Sequence, residues 1–433
     1  MNTQLSSDTL RRLPTSNFAA GGQNGSTASR ILVRTIAVGH SANSTVRHLL
    51  NLGFGGHHYP EYYVLADVEA ETSLDTSESY LFSDRHHLAG FHSFSRTGAR
   101  IFADVPSGPQ SRPGHFSATQ ENLWPDLTLE QLQEHLDQRG PGTVTLKKLN
   151  WLSTFYVHRR LVNSYRHGRV FLAGDAAHVH SPASGQGMNM GLQDAFNLAW
   201  KLELVEKNRA SPALLDTYSP ERRRAGQATL RMTDFFSRIN TLRNPVARWG
   251  RNVIGPWLCR QDWIRRRYRD AVGELSLNYR GSPIVREASS ARPRLKAGPL
   301  PGERAPDGTL TAPDVGASAP SIRLFQLFQD SRHHLLLFTG GATAPEATAL
   351  RQLAAWIAET YPHDIAPHCL AAPDSAKESA DASILCDPGL VLHQKYGATA
   401  GAIYLIRPDG YVAFRGPPAA EKEFREYLKS IFN

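Results

Sequence analysis

The sequence predicts a mixed α/β (α+β) protein: a partial parallel-sheet domain joined to an antiparallel sheet region, followed by a smaller α/β module. Three observations predict it. Short apolar runs bounded by glycine or polar residues recur from residue 31 to residue 172, helical apolar periods lie between and after them, and a strand–helix–strand alternation resumes beyond a Pro/Gly/Ser/Ala-rich stretch at 281–320. At 433 residues the chain is long enough for two or three domains with a large core.

Residues 1–30 mix Ser, Thr, Asn, Gly and Gln without the apolar core of a secretory signal. They are expected to form a polar, disordered leader on a cytoplasmic protein. ILVRTIAVG (31–39) is β-branched and apolar and predicts a strand, and SANSTVRHLLNLGF after it predicts a short helix. From Tyr63 to Val105, runs such as YYVLADVEAE and GARIFADV predict an antiparallel sheet. In LTLEQLQEHLDQRG (127–140), Leu127, Leu129, Leu132 and Leu136 follow a helical period, with Thr128 as N-cap and Gly140 as stop. RVFLAG predicts a buried strand ending at Gly174. A long helical region runs on through LLDTYSPERRRAGQATLRMTDFF. Beyond residue 320, IRLFQLF and HHLLLFTG read as strands, ATALRQLAAWIAETY as a helix, and GAIYLIRPDGYVAFRG as a hairpin turning at Pro408, Asp409 and Gly410. The expected organisation is therefore a leader at 1–30, a main domain at 31–280, a linker at 281–320 and a final module at 321–433.

Forty-eight Lys and Arg against 40 Asp and Glu give a net charge of +8, which favours anionic partners such as a phosphorylated cofactor or nucleic acid. The densest cluster, Arg265, Arg266, Arg267 and Arg269, is interleaved with Trp263, Ile264 and Tyr268. That pattern suits a helix with one buried face better than a nucleic-acid patch. No apolar run reaches the ~20 residues of a membrane-spanning helix, so neither membrane nor nucleic acid is an expected partner. Cys259, Cys369 and Cys386 form no CxxC or metal-ligand spacing, and no metal is expected.

The richest stretch is GRVFLAGDAAHVHSPASGQGMNMGLQDAFNLAWKL (168–202). Asp175 follows the strand end at Gly174, where open α/β sheets place their ligands, so its carboxylate suits a ribose or ribitol hydroxyl. Pro182 sets the entry to a turn in which Gly185 and Gly187 remove side chains just before a helix. Met188, Leu192, Ala195, Phe196 and Ala199 recur along that helix at helical spacing. A flat ligand can approach its first N–H groups, whose partial positive charge suits the anionic N1–C2=O edge of a reduced flavin, and Asn189 adds a polar group. The alternative is a glycine-bearing loop before a core helix, with Asp175 capping a turn. His178 and His180, expected to diverge to opposite faces, lack a third ligand and read as structural or hydrogen-bonding residues.

These residues resemble the second flavin motif of the FAD-dependent aromatic hydroxylases, the single-component flavoprotein monooxygenases. LLDTYSPERR (214–223) continues the resemblance into the phenol-hydroxylase and polyketide-hydroxylase branch. HHLLLFTG and LIRPDGYVAFR resemble the thioredoxin-like domain of that branch, here without a CxxC and hence structural. The resemblance implies a partial Rossmann-like FAD-binding domain with an antiparallel substrate-domain sheet. It implies FAD as cofactor, with Gly174, Asp175, Pro182, Gly185, Gly187, Met188 and Asn189 binding it, and NAD(P)H as co-substrate. The activity implied is hydroxylation of a small phenolic or polyketide substrate with O₂, through chemistry that the cofactor supplies, so no catalytic side chain is named.

Two departures from the family pattern stand out. Its first motif is a strand, a GxGxxG turn and a helix; here AAGGQNGSTAS follows no apolar strand and GFGGHHYP (53–60) opens no helix. In TIAVGHSANSTVRHLL, Ser44, Val46 and Arg47 match a second family segment, but His40 and Ser41 replace its Asp-Gly pair and Asn43 its Arg. The expectation is a chain that begins inside the family pattern, as an incomplete, split or decayed enzyme. It would be impaired, assembled as a homo-oligomer, or complemented by an N-terminal flavin-binding chain. The alternative function is a non-catalytic pseudoenzyme or interaction partner of a related hydroxylase.

Overall fold

The computed structural model describes residues 36–38, 44–83, 88–105, 127–138, 142, 144–180, 186–240, 242, 244–289, 295, 297–311, 321–372 and 384–433. Two compact units emerge. One is drawn from the described residues up to 163 with 167–191 and 226–272, the other from 164–166, 192–225 and 273–433.

The first unit is built on an antiparallel sheet. Strands β2 (Phe54–Thr72), β3 (Ser79–Ser83), β4 (Leu88–Ser93), β5 (Gly98–Val105), β6 (Val144–Val162) and β9 (His178–Val179) lie in the order β3-β4-β5-β2-β6-β9. Period-two alternation buries Val64, Ala66 and Val68 of β2 with Ala99, Ile101 and Ala103 of β5 on one face. Helix α2 (Leu129–Asp137) covers that face with Leu132 and Leu136, each burial stabilising by about 1.5–3 kcal/mol. Thr128 starts α2 with a capping box closed by Gln131, as expected of the N-cap, and Gly140 lies outside the described residues. On the opposite face Tyr63 and Phe102 stack with ring centroids 5.0 Å apart. GFGGHH runs into β2, so it opens a strand and no helix.

Strand β6 escapes sequence reading for a physical reason. Two register shifts in its pairing with β2, at Asp67/Val68 and Glu69/Ala70, each add a residue to β6. Its core-side residues therefore fall at Val144, Leu146, Leu149 and Leu152, a spacing that imitates a helix.

The expected first strand is β1 (Ile36–Val38), preceding the short helix α1 (Thr45–Leu49). It pairs in parallel with β8 (Val170–Leu172), and the two belong to a three-stranded sheet in the order β1-β8-β7, β7 being Arg166–His167. Long helices follow at α3 (Gly187–Glu206), α4 (Tyr218–Asn240), α5 (Pro245–Cys259) and α6 (Asp262–Val272). The arginine cluster does form a helix, α6, but none of its residues is buried, so the expected buried face is absent.

The second unit is organised by an eight-stranded sheet. At its centre β13 (His333–Phe338) pairs in parallel with β14 (Ile365–Ala371) and antiparallel with β16 (Ala402–Ile406), which pairs with β17 (Val412–Gly416). Helix α8 (Ala344–Thr360) joins β13 to β14, and α10 (Glu421–Ile431) ends the chain. That order is consistent with the thioredoxin-like module that the resemblance implies. All residues of β13, β16 and β17 are buried, as strands covered on both faces must be. The hairpin turns where expected, at Pro408, Asp409 and Gly410, with Gly410 at φ +81°.

Residues 281–320, expected as a linker, contribute β10 (Arg286–Glu287) and β11 (Thr309–Thr311) to this sheet. IRLFQLF is not one strand: β12 (Ser321–Arg323) ends at Arg323 and Leu324–Leu327 form a helical turn, α7. The short helix α9 (Val391–Lys395) precedes β16. Cys369 and Cys386 are buried, unbridged thiols and Cys259 is exposed. Among the described residues no helix is long and apolar enough to cross a membrane.

Candidate functional site

The site starts from β8, whose three residues are all buried. The chain leaves the strand through Gly174 at φ +55°, a left-handed conformation that favours glycine, and enters a single 3-10 turn, Gly174–Ala176. This turn leaves Asp175 exposed between buried or half-buried neighbours. It is closed by the Ala177 N–H donating to the Gly174 carbonyl at 2.8 Å and tied to β6 by the Val162 N–H donating to the Ala177 carbonyl at 2.9 Å.

Helix α3 begins against the same turn. A Cβ added to Gly191 would lie 3.4 Å from the Gly174 Cα, so the two glycines allow backbone to meet backbone. The Met190 N–H donates to the Gln186 carbonyl at 2.9 Å, and the amides of Gly187, Met188 and Asn189 precede the helical ladder. Met188 is 76% exposed and Asn189 is exposed too. Gln186 is buried and anchors the helix start by donating from Nε2 to the carbonyls of Ala271 (2.8 Å) and Val272 (3.1 Å). An exposed carboxylate at a strand's carboxyl end thus shares one glycine-thinned turn with the positive end of a twenty-residue helix.

Of the seven residues predicted to bind the cofactor, the structure brings Gly174, Asp175, Gly187, Met188 and Asn189 onto this turn and helix start. Pro182 and Gly185 lie outside the described residues, as do His40, Ser41 and Asn43. His178 and His180 do not diverge. Their rings stack at 6.3 Å with 14° between planes, because residues two apart on an extended strand share a face. Among the described residues no group of three metal-ligating side chains exists.

Two residues support this turn in ways the sequence did not indicate, although Arg47 matches a family segment. Arg47 is buried, lies over the Phe54 ring at 3.9 Å and donates from Nη1 to the Ala176 carbonyl at 3.1 Å, bracing the Asp175 turn. Burial lowers its pKa from the usual arginine range, with Arg160 nearby acting in the same direction. Gly191 is the second, and its place one helical turn after Gly187 was the available signal.

Helix α3 turns its predicted apolar series outward and buries Met190, Leu198, Trp200 and Leu204 together with polar residues. Met188, Leu192, Ala195, Phe196 and Ala199, the apolar series, are all exposed, whereas Asp194, Asn197 and Lys201 are buried. The buried polar series is satisfied inside the second unit. Arg222 donates from Nε to Asp194 at 2.5 Å, and Lys201 bonds both Asn197 and Glu221 at 2.8 Å.

Two family models match the chain: FAD binding domain over residues 39–233, and aromatic-ring hydroxylase, C-terminal, over 298–433. The chain is 33% identical over 410 residues to 6-methylpretetramide 4-monooxygenase of Streptomyces rimosus, covering 93% of this chain and 67% of that protein. It is 32% identical to pentachlorophenol 4-monooxygenase of Sphingobium chlorophenolicum, covering 90% of this chain and 66% of the relative. In fold it resembles the flavin-dependent monooxygenase PieE, solved in complex with FAD and substrate, with a TM-score of 0.67 at 21% identity over 92% of this chain and 71% of PieE. The chain spans about two thirds of the length of these two curated relatives. With both family models matched in order and a relative 33% identical over two thirds of its length, the chain belongs to the FAD-dependent aromatic-ring hydroxylases.

Proposed function

We propose that this chain hydroxylates a phenolic or polyketide aromatic ring using FAD, NAD(P)H and O₂, and that residues 174–189 hold the flavin half of the cofactor. The observation that carries the reading is the exposed Asp175 on a turn that Gly174 and Gly191 press against the start of α3. FAD, when bound, supplies the electron transfer and oxygen activation. The side chains bind and orient.

Asp175 would accept a hydrogen bond from a ribitol or ribose hydroxyl. The amides of Gly187, Met188 and Asn189 would donate to the pyrimidine edge of the ring, helped by a helix-end field worth about 0.3–1 kcal/mol. Pro182 and Gly185 join the same proposed site by their place in the sequence. The face of the antiparallel sheet opposite α2 offers Tyr63 stacked on Phe102, beside half-buried Leu65. An aromatic substrate added to that pair would gain about 0.5–1.5 kcal/mol beyond its area burial. A strand–GxGxxG–helix segment, when supplied, would receive the adenosine half of FAD. Nothing in the comparisons favours the non-catalytic alternative.

Titrating FAD into the purified chain, alone and with a strand–GxGxxG–helix polypeptide added, and following flavin fluorescence tests the reading. Loss of one hydrogen bond to a charged group costs about 1.5–3 kcal/mol, so Asp175→Ala should weaken FAD binding by about 10- to 100-fold. An unchanged Kd in the variant, or no FAD bound under either condition, would refute the site. NAD(P)H oxidation stimulated by a phenolic substrate is the matching activity readout.

A further inference from the structure

Residues matched by the FAD-binding model and residues matched by the C-terminal model meet in one buried ionic cluster within the second unit. Arg407, on the hairpin turn between β16 and β17, donates to Glu221 through two nitrogens, at 2.8 and 3.0 Å. The same guanidinium donates to Asp409 at 2.9 and 2.5 Å. Asn197 of α3 donates from Nδ2 to Glu221 at 2.8 Å and to Asp409 at 3.2 Å. Lys201, one helical turn later, reaches Asn197 Oδ1 and Glu221 at 2.8 Å, and the Ser282 hydroxyl donates to Glu221 at 2.6 Å. Trp200 of α3 and Tyr279 lie under the Arg407 guanidinium at 5.1 and 4.8 Å. Two cations face two anions, and Arg407, Glu221, Asp409 and Lys201 are at most 3% exposed.

Such a cluster does little for net stability, because desolvating four charges offsets most of their attraction. Its strength is geometric. A bidentate arginine–carboxylate pair tolerates little rotation, and here it clamps two residues one helical turn apart, which fixes both the rotation of α3 about its axis and its position along it. A purely apolar contact would let the helix slide or turn by a residue. Helix α3 is continuous from Glu206 back to Gly187, and Asn197 and Lys201 lie on its buried side beside Leu198, Trp200 and Leu204.

We infer that the C-terminal module is a positioning device for the flavin helix, with Arg407 and Asp409 holding α3 through Asn197, Lys201 and Glu221. The module thereby acquires a role that requires no redox chemistry of its own. The inference rests on the flavin reading above for its consequence at the cofactor, though not for the clamp itself.

The test compares Arg407→Lys and Asp409→Asn with Leu336→Ala, a core change in β13 away from the cluster, at matched loss of the urea midpoint. Amide hydrogen exchange of residues 187–206 should accelerate about tenfold in the two cluster variants relative to α10, and FAD Kd should rise about tenfold. Leu336→Ala should leave both within about twofold of the parent once corrected for global stability. Equal effects from the control, or no change in α3 exchange in Asp409→Asn, would overturn the positioning role. If the parent binds no FAD the flavin reading fails, while the exchange measurement still decides the clamp. Arg407→Met, which deletes the guanidinium, extends the series if it folds.

Discussion

Lowering the pH from 7.5 to 5 should destabilise the second unit by about 6 kcal/mol, an amount comparable to the whole stability of an ordinary domain. Three histidines on its central strands carry this expectation. His333, packed edge-on against Trp200 at 5.1 Å and Phe432 at 5.2 Å, has its pKa lowered to about 3 by burial, with Arg407 and His334 acting the same way. His334 and His368 touch, Nδ1 to Nε2, at 3.1 Å, and burial lowers each to about 4, mutual repulsion adding to the shift of His334 against a partial offset from Asp330. In the unfolded chain each would titrate near 6.5. The unfolded state therefore binds more protons between pH 6.5 and pH 3–4. Stability is full above 6.5 and falls as the pH falls, by about 1.4 kcal/mol per pH unit for each histidine, or about 2 kcal/mol each at pH 5. Urea unfolding followed by circular dichroism at intervals from pH 7.5 to 4.5 measures the slope. Replacing His368 with Gln should remove about one proton from it. A midpoint flat between pH 7 and 5 would contradict the buried neutral state of all three.

The turn proposed to hold the flavin was legible as a strand, turn and helix because its parts are local. Gly174, Asp175 and the start of α3 lie within sixteen residues, and strand, turn and helix each leave their own signature. The core of the C-terminal sheet was legible for a similar reason: β16 and most of β13 and β17 are apolar runs, and Gly410 marks the hairpin between β16 and β17. What stayed hidden depends on distant pairing. The two extra residues of β6 make sense only against β2, so its apolar spacing misleads when read alone. Residues 286–287 and 309–311 look like linker because proline and glycine surround them, yet backbone pairing with β17 and with β15 (Ile384–Cys386) recruits them. The facing of α3 was the largest omission. Periodicity picks out the stripe of Met188, Leu192, Ala195, Phe196 and Ala199 but not whether it is buried, and here the inner side holds Leu198, Trp200 and Leu204 with Asp194, Asn197 and Lys201, which Arg222 and Glu221 pair.

That burial of polar residues also sets the size of the second expected effect. Arg222 and Asp194 are both fully buried, paired at 2.5 Å, and the Arg222 Nη1 also donates to the Tyr279 hydroxyl at 2.8 Å. Tyr165 and Tyr218 pack edge-to-face at 5.8 Å, and burial holds both phenols well above their usual pKa, as does the neighbouring Asp194 charge. These rings are neutral at physiological pH, so neither competes as an anion with Asp194 for Arg222. Removing it with Arg222→Met keeps much of the volume but leaves the carboxylate buried without this guanidinium. The expected loss is about 3–5 kcal/mol at pH 7, read as a drop in the urea midpoint. The carboxyl of the variant should respond by titrating upward. Its folded pKa then exceeds the unfolded one, so the folded variant holds the extra proton and regains part of the lost stability as the pH falls through that raised value. Asp194→Asn added to Arg222→Met should recover much of the loss, since no charge then remains to be desolvated at that position. Should the double variant prove as unstable as the sum of the two single changes, with no coupling between them, the pair would be two independent packing residues and not an ion pair that orients α3.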